Sequence, residues 1–338
     1  MPTTMNSSEA VSSRPSVDEE PENIAFPVFD GHVDIIYGMM QAGSSGSFGD
    51  LPAGPVTPET LKKGNVRAMV VALYCEDRFN GPRTAAPHLK SLLAFAGDRL
   101  ASLTAVTGEQ DLIDCFQGGG KTGVLFLVEN GDALIDLPLE EITRRSIFTV
   151  GLTHAGRNRI GDGNSVSSPG GLTGEGKKLL RELDRAGFVI DIAHLSEPCC
   201  RELLSVFQGM IISSHTGFRF FCDTPRNLSY DQIKSITERK GLVGVTVNPE
   251  MLSMSGSAAI EDVFKHIDWV AQEYGPQYAA LGSDFCGFDP INRGMEDASG
   301  FPDLAEMFLK HGYPVNIVSD IMGGNWFRFY SSLLKNHA

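Results

Sequence analysis

The chain has 338 residues, 42% hydrophobic and 21% charged, which allows a large buried core and excludes wholesale disorder. Lys and Arg total 28 against 42 Asp and Glu, and the resulting formal charge of -14 argues against nucleic acid or an anionic membrane as partner. Six cysteines without a Cys-x-x-Cys pair make neither a disulfide framework nor a zinc knuckle, and adjacent Cys199 and Cys200 read as small apolar packing residues in a reducing compartment.

Residues 1–25 include "SSEAVSSRPSVDEEPEN", rich in Ser, Pro and acid. This stretch has no apolar core for secretion and no basic pattern for import, so a disordered polar tail is expected there, followed by one domain over 26–338. Apolar runs such as "AMVVALYC" fall far short of the ~20 residues that span a bilayer. The expectation is a soluble, cytoplasmic protein with no membrane anchor.

From Phe26 onward, eight β-branched or apolar runs follow in order: "FPVFDGH", "RAMVVALYC", "TGVLFLVEN", "SIFTVGLTH", "GFVIDIAH", "GMIISSH", "GLVGVTVN" and "YAALGSDF". Segments of helical period lie between them: "HLKSLLAFAGDRLASLTAV", "GEGKKLLRELDRAG", "EPCCRELLSVFQ", "YDQIKSITERKG" and "IEDVFKHIDWVAQEYG". "GDALIDLPLEEITRR" has room for a short helix. Ser196 before Glu197-Pro198 marks a helix start, and Gly187 and Gly241 mark helix stops. The alternation predicts an α/β fold, a (β/α)8 TIM-type barrel with an N-terminal arm and a C-terminal extension. An open doubly wound sheet is the competing architecture, without the G-x-G-x-x-G loop of its dinucleotide-binding form.

The runs end on His32 and Asp34, Glu129, His154, His194, His215, Asn248 and Asp284. In a parallel barrel these ends converge on one mouth, where sites of this fold are built. The other histidines, His88, His266, His311 and His337, fall on helices or at the terminus and read as packed or solvated rings. Each strand-end residue taken singly has an ordinary explanation as a turn or loop residue; their coincidence at one mouth points to a metal site.

His-x-Asp on a strand sends both side chains to one face, so His32 and Asp34 suit one ion. Glu129 has two oxygens and suits a bridge to a second ion held by His194 and His215. Imidazole with carboxylate favours zinc, although manganese, cobalt or iron accept similar donors. Two such ions would turn a water between them into a hydroxide at neutral pH. Asp284 suits the proton relay, or else an additional ligand or a cap. His154 suits an oxyanion donor. Arg226, in "CDTPRN", either holds a substrate carboxylate or pairs on the surface with Asp223.

The ordered pieces "DGHVD", "LVENGDAL", "LTHAGRN", "GLTGEGKKLLRELDRAGFVIDIAHLSE", "SSHTGFRFFCDTPRNL", "LGSDFCGF", "GMEDASGFPDL" and "GGNWFRFY" resemble the membrane (renal) dipeptidase family of the amidohydrolase superfamily, from about Phe26 to near the C-terminus. The resemblance implies an amidohydrolase-like barrel with two zinc ions that hydrolyses free dipeptides, including those with a C-terminal D-residue. It also implies His32, Asp34, Glu129, His194 and His215 as ligands, Asp284 as acid/base, His154 at the scissile carbonyl, Arg226 at the substrate carboxylate, and a homodimer. Three departures alter the surroundings of these residues without removing a ligand. "HVDII" stands for the usual His-Asn-Asp-Leu-Pro, "ENG" for Glu-Gly-Gly, and "RAMVVALY" for a Gln-Phe-x-Ser strand, with Tyr74 still placed to line the pocket. The alternatives are another two-metal amidohydrolase reaction on a lactone, cyclic amide or β-lactam, or a barrel that binds without catalysis.

Overall fold

Parallel strands build a single sheet in the computed structural model, which describes residues 25–337, so the expected tail lies outside the described residues but for its last position. The strands are β1 (Val28–Val33), β2 (Val66–Tyr74), β3 (Thr104–Ala105), β4 (Gly123–Glu129), β5 (Thr149–Gly151), β6 (Val189–Asp191), β7 (Ile211–Thr216), β8 (Val243–Val245) and β9 (Ala279–Leu281). Their spatial order is β1-β2-β4-β5-β6-β7-β8-β9, with β3 attached to β4 off this path. The eight runs expected from the sequence are the eight staves of a nearly closed (β/α)8 barrel.

The closing seam lies at the mouth. Val33 and Phe285 form a parallel bridge. Asp34 N–H donates to Phe285 O at 2.9 Å, and Asp284 N–H donates to His32 O at 3.0 Å. The β1–β2 register shifts between Asp30 and Val33. A bulge of this kind re-aims side chains at a barrel rim. Asp30 serves the seam and not the ligand set: its Oδ1 accepts from Ser283 N at 2.8 Å and His32 N at 3.3 Å.

Alternation along the strands separates core from chemistry. Ala68, Val70 and Ala72 on β2, and Leu125 and Leu127 on β4, join one buried apolar cluster with Phe29, Trp326, Tyr330 and Leu333. Two residues further along the same face come Tyr74 and Glu129, at the mouth. The C-terminal helix Asn325–Asn336 closes the opposite end, with its Trp326 fully buried and Nε1 donating to Leu281 O at 2.6 Å. Gly31 makes room for that indole, since a Cβ there would stand 2.5 Å from the ring.

Several local expectations are corrected. The helix expected to run through "LASLTAV" is Ala85–Arg99, and Thr104–Ala105 is a strand instead. β5 pairs with β4 only at Val128 and Glu129, so the start of β4 has free backbone groups that β3 satisfies. Ser196 does occupy the N-cap of the helix Glu197–Val206, but its hydroxyl makes no capping bond. Gly187 takes the left-handed stop as expected, with φ 76. At the other stop Lys240 takes the left-handed turn, φ 59. Gly241 is needed there because a Cβ would stand 1.8 Å from Ile211 O. The extension after β9 is helical at Phe301–Lys310, Val315–Ser319 and Asn325–Asn336. Among the described residues no helix is long and apolar enough to cross a membrane.

Candidate metal centre

Five side chains from four barrel strands and their ends meet at the mouth. His32 stands one residue before the end of β1 with its ring fully buried, and its Nε2 lies 3.2 Å from Asp34 Oδ2. Asp34 precedes the helix Ile35–Gln41 without capping it, which leaves its carboxylate to face His32. Glu129 ends β4 and divides its two oxygens: Oε2 is 3.7 Å from His32 Nε2, and Oε1 is 3.1 Å from His194 Nε2 and 3.9 Å from His215 Nε2. His194 and His215 turn their Nε2 atoms toward each other at 3.1 Å. The structure thus brings the five sequence-derived ligand candidates together, with Glu129 between the two groups.

The electrostatics suit cations. Burial, then Arg226 and His154, push His194 well below the ordinary histidine range, and burial followed by the His32 charge does the same to His215. Both rings are therefore neutral, the form that ligates. Burial acts against a charge on His32, yet Glu129 and Asp34 outweigh it and push that ring up to about 10. Burial would raise Glu129 as well, and the His32 charge with the His194 bond hold it below the usual carboxylate range. Negative potential is focused where His32, Asp34 and Glu129 meet. Neutral imidazoles and carboxylates at this spacing are a donor set that divalent metal ions fit.

Asp284 lies three residues beyond β9 with φ 66, a left-handed conformation that costs a non-glycine residue about 1–3 kcal/mol. Its carboxyl is pushed well above the usual range by burial and then by the charge of Asp34. A Cβ on Gly287 would stand 2.4 Å from Asp284 Oδ1 and 2.6 Å from Asp34 Oδ2, so a bare backbone accommodates both carboxylates. Asp284 also falls within ligating distance of His32 and His215, as His154 does of Glu129 and His194.

His154 follows β5 on a loop. Its Nδ1 faces Tyr74 Oη at 3.4 Å and Asp77 Oδ2 at 3.5 Å, while Asp77 Oδ2 also accepts from Gly156 N–H at 2.9 Å. Its other ring nitrogen is left for the cavity. Arg226 does not pair with Asp223. It donates to the carbonyls of Ala193 and, at 3.4 Å, His215, and its Nη2 is 3.1 Å from His194 Nε2. The cavity above these groups measures about 450 Å3, and its walls include Tyr37, Tyr74, Arg226, Asn248, Glu250 and Met251. Nothing in the spacing of "YCEDRFN" singles out Asp77, and Tyr37 and Gly287 carry no sequence signal either. Glu250 and Met251 belong to "NPEMLSMSG", which follows a strand end, the one cue that places them at the mouth.

The chain is 31% identical over 181 residues to Dipeptidase aclJ of Aspergillus oryzae, covering 52% of this chain and 43% of that protein. It is 30% identical over 160 residues to mouse Dipeptidase 3, covering 47% of this chain and 32% of that protein. The matched stretches therefore span less than half the length of these relatives. Among solved structures, a metallopeptidase termed dipeptidase AC superposes with TM-score 0.82 at 21% identity, over 92% of this chain and 99% of that one. A metallopeptidase from Rhodobacter sphaeroides, liganded with a phosphinate mimic of the dipeptide L-Ala-D-Ala, superposes with TM-score 0.80 at 20% identity, over 93% of this chain and 100% of that one. At such identities these likenesses establish the barrel fold. Residues 23–337 match the family described as membrane dipeptidase (Peptidase family M19), and the chain belongs to that metallopeptidase family.

Proposed function

We propose that this protein is a dipeptidase that holds two divalent ions, zinc by its donor set, and hydrolyses free dipeptides. The observation that carries the reading is the divided carboxylate of Glu129, one oxygen toward His32 and the other toward His194 and His215. His32 and Asp34 would hold one ion, His194 and His215 the other, with Glu129 shared. Bound there, such ions supply an acidified water as nucleophile and polarise the peptide carbonyl.

The chain's own residues do the rest. Arg226, anchored on the carbonyls of Ala193 and His215, presents its guanidinium to the substrate carboxylate. His154 Nδ1 lies between the Tyr74 hydroxyl and Asp77 Oδ2, and these contacts hold the ring so that Nε2 is presented to the carbonyl oxygen as its charge develops. Asp284, buried beside Asp34, takes a proton from the attacking water and passes it to the leaving amine. The 450 Å3 cavity is on the scale of a small-ligand site, which favours a dipeptide over a longer chain. The relative liganded with an L-Ala-D-Ala mimic supports including C-terminal D-residues in the substrate range.

The test is a metal analysis followed by a panel of L,L and L,D dipeptides assayed with zinc, with lactones and cyclic amides in parallel. Two ions per chain and turnover of the dipeptides are expected. A chain that binds no metal, or that turns over only lactones, would overturn the proposal.

A further inference from the structure

One hydroxyl, that of Ser214, lies against both halves of the candidate metal centre. Ser214 is on β7, fully buried, with Oγ 2.9 Å from His32 Nδ1 and 2.9 Å from His215 Nδ1. On its third side Oγ donates to Asp191 Oδ2. Asp191 ends the neighbouring strand β6, and its Oδ1 accepts from the backbone N–H groups of Ser214 at 3.0 Å and Ala193 at 3.1 Å. Oδ1 thus takes two amide donors, and Oδ2 takes the serine hydroxyl.

A serine hydroxyl has one hydrogen and two lone pairs. The hydrogen goes to Asp191, so each contact with an imidazole uses a lone pair, and each ring must be the donor. His32 and His215 therefore both carry their proton on Nδ1. With the second proton of His32 displaced by a bound ion, both then keep a lone pair on Nε2, the nitrogen each turns toward Glu129.

We infer that Asp191 and Ser214 are positioning residues that fix the tautomer and aim of one histidine in each of the two ion sites through a single shared oxygen. The inference rests on the reading of the site as a two-metal centre. An ordinary core role predicts no link between Asp191 and histidine tautomers; this arrangement does, because neither residue reaches an ion itself. Hydrogen-bonded partners of ligating histidines typically change metal affinity 10–100-fold when removed.

Asp191→Asn separates the two readings. An amide that keeps its oxygen on the backbone N–H groups must turn its NH2 to Ser214 Oγ, which uses one lone pair and drives the hydroxyl hydrogen onto an imidazole. One of His32 and His215 is then forced to carry its proton on Nε2, where it no longer ligates. The turned-over amide fails as well, since its NH2 would face two N–H donors. Zinc titration is expected to show one site weakened 10–100-fold in Asp191→Asn and both sites weakened in Ser214→Ala. Selective 15N-histidine NMR of the zinc-loaded protein is expected to show His32 and His215 protonated on Nδ1, with one ring switched in Asp191→Asn. Thermal melting in chelator confirms that each variant keeps its fold; where one does not, the NMR of the unsubstituted protein decides. Unchanged zinc affinity in both folded variants, or either ring metal-bound through Nδ1, overturns the positioning role while leaving the metal centre intact. An unsubstituted protein that takes up no zinc overturns both.

Discussion

The backbone N–H of Asp284 donates to the carbonyl of His32 at 3.0 Å, so one of the bonds that close the barrel runs between the proposed acid/base and a proposed ligand. Because this bond uses main-chain atoms, the Asp284 carboxyl is free to change without opening the seam. Asp284→Asn is expected to keep the fold and the bound metal while kcat falls about 10²–10⁴-fold. Metal content, melting temperature and turnover measured on one preparation check this, and a variant with full activity would remove Asp284 from its role.

Arg226 gives a different kinetic signature. Its guanidinium is already held by two carbonyls, so it is set to receive an anion at little ordering cost. Arg226→Ala is expected to raise KM for free dipeptides about 10–100-fold and to leave C-terminally amidated dipeptides almost unaffected. Equal losses on both substrate sets would show that the arginine serves the metal centre and not the carboxylate.

Gly287→Ala tests the room left for the two carboxylates. The added methyl would meet Asp284 Oδ1 and Asp34 Oδ2 at 2.4 and 2.6 Å, so one carboxylate must move. The expected result is a loss of about 1–3 kcal/mol in stability with a larger loss of turnover. Wild-type kinetics in this variant would mean that the loop yields freely.

Acid stability is expected to depend in part on a histidine outside the candidate ligand set. His266 lies between Phe218 and Phe221 with Nε2 3.1 Å from Leu252 O, and burial pushes its ring down to about 4. The unfolded chain, titrating near 6.5, binds this proton more readily. The stability that neutral His266 contributes is therefore complete above about pH 6.5 and is lost as the pH falls toward 4, by about 2 kcal/mol at pH 5. Urea unfolding of His266→Gln should show a pH 7.5 to pH 5 difference smaller by that amount, and an unchanged difference would assign the acid sensitivity to other groups.

The meeting of the candidate ligands was legible because each stands at or just past the end of a β-branched run, and chain order alone brings such ends together in a parallel barrel. β3 was hidden because two residues carry no period. Ser214 reads as one more serine before His215, and Asp191 as a polar residue in a strand; their contact exists only across the β6–β7 pairing. Arg226 shows the limit most clearly, since its sequence neighbourhood offered Asp223 as a partner and the fold carried it to His194. Lys240 and Gly241 are a smaller case of the same kind: the tight approach of Ile211, and not the turn itself, requires the glycine.

Trp326 and the last helix fill the barrel end opposite the mouth, so among the described residues the cavity of the candidate site opens at the mouth. If the proposed hydrolysis takes place there, a dipeptide entering and two amino acids leaving must take turns through that opening. Accumulated product should therefore slow turnover by standing in the passage.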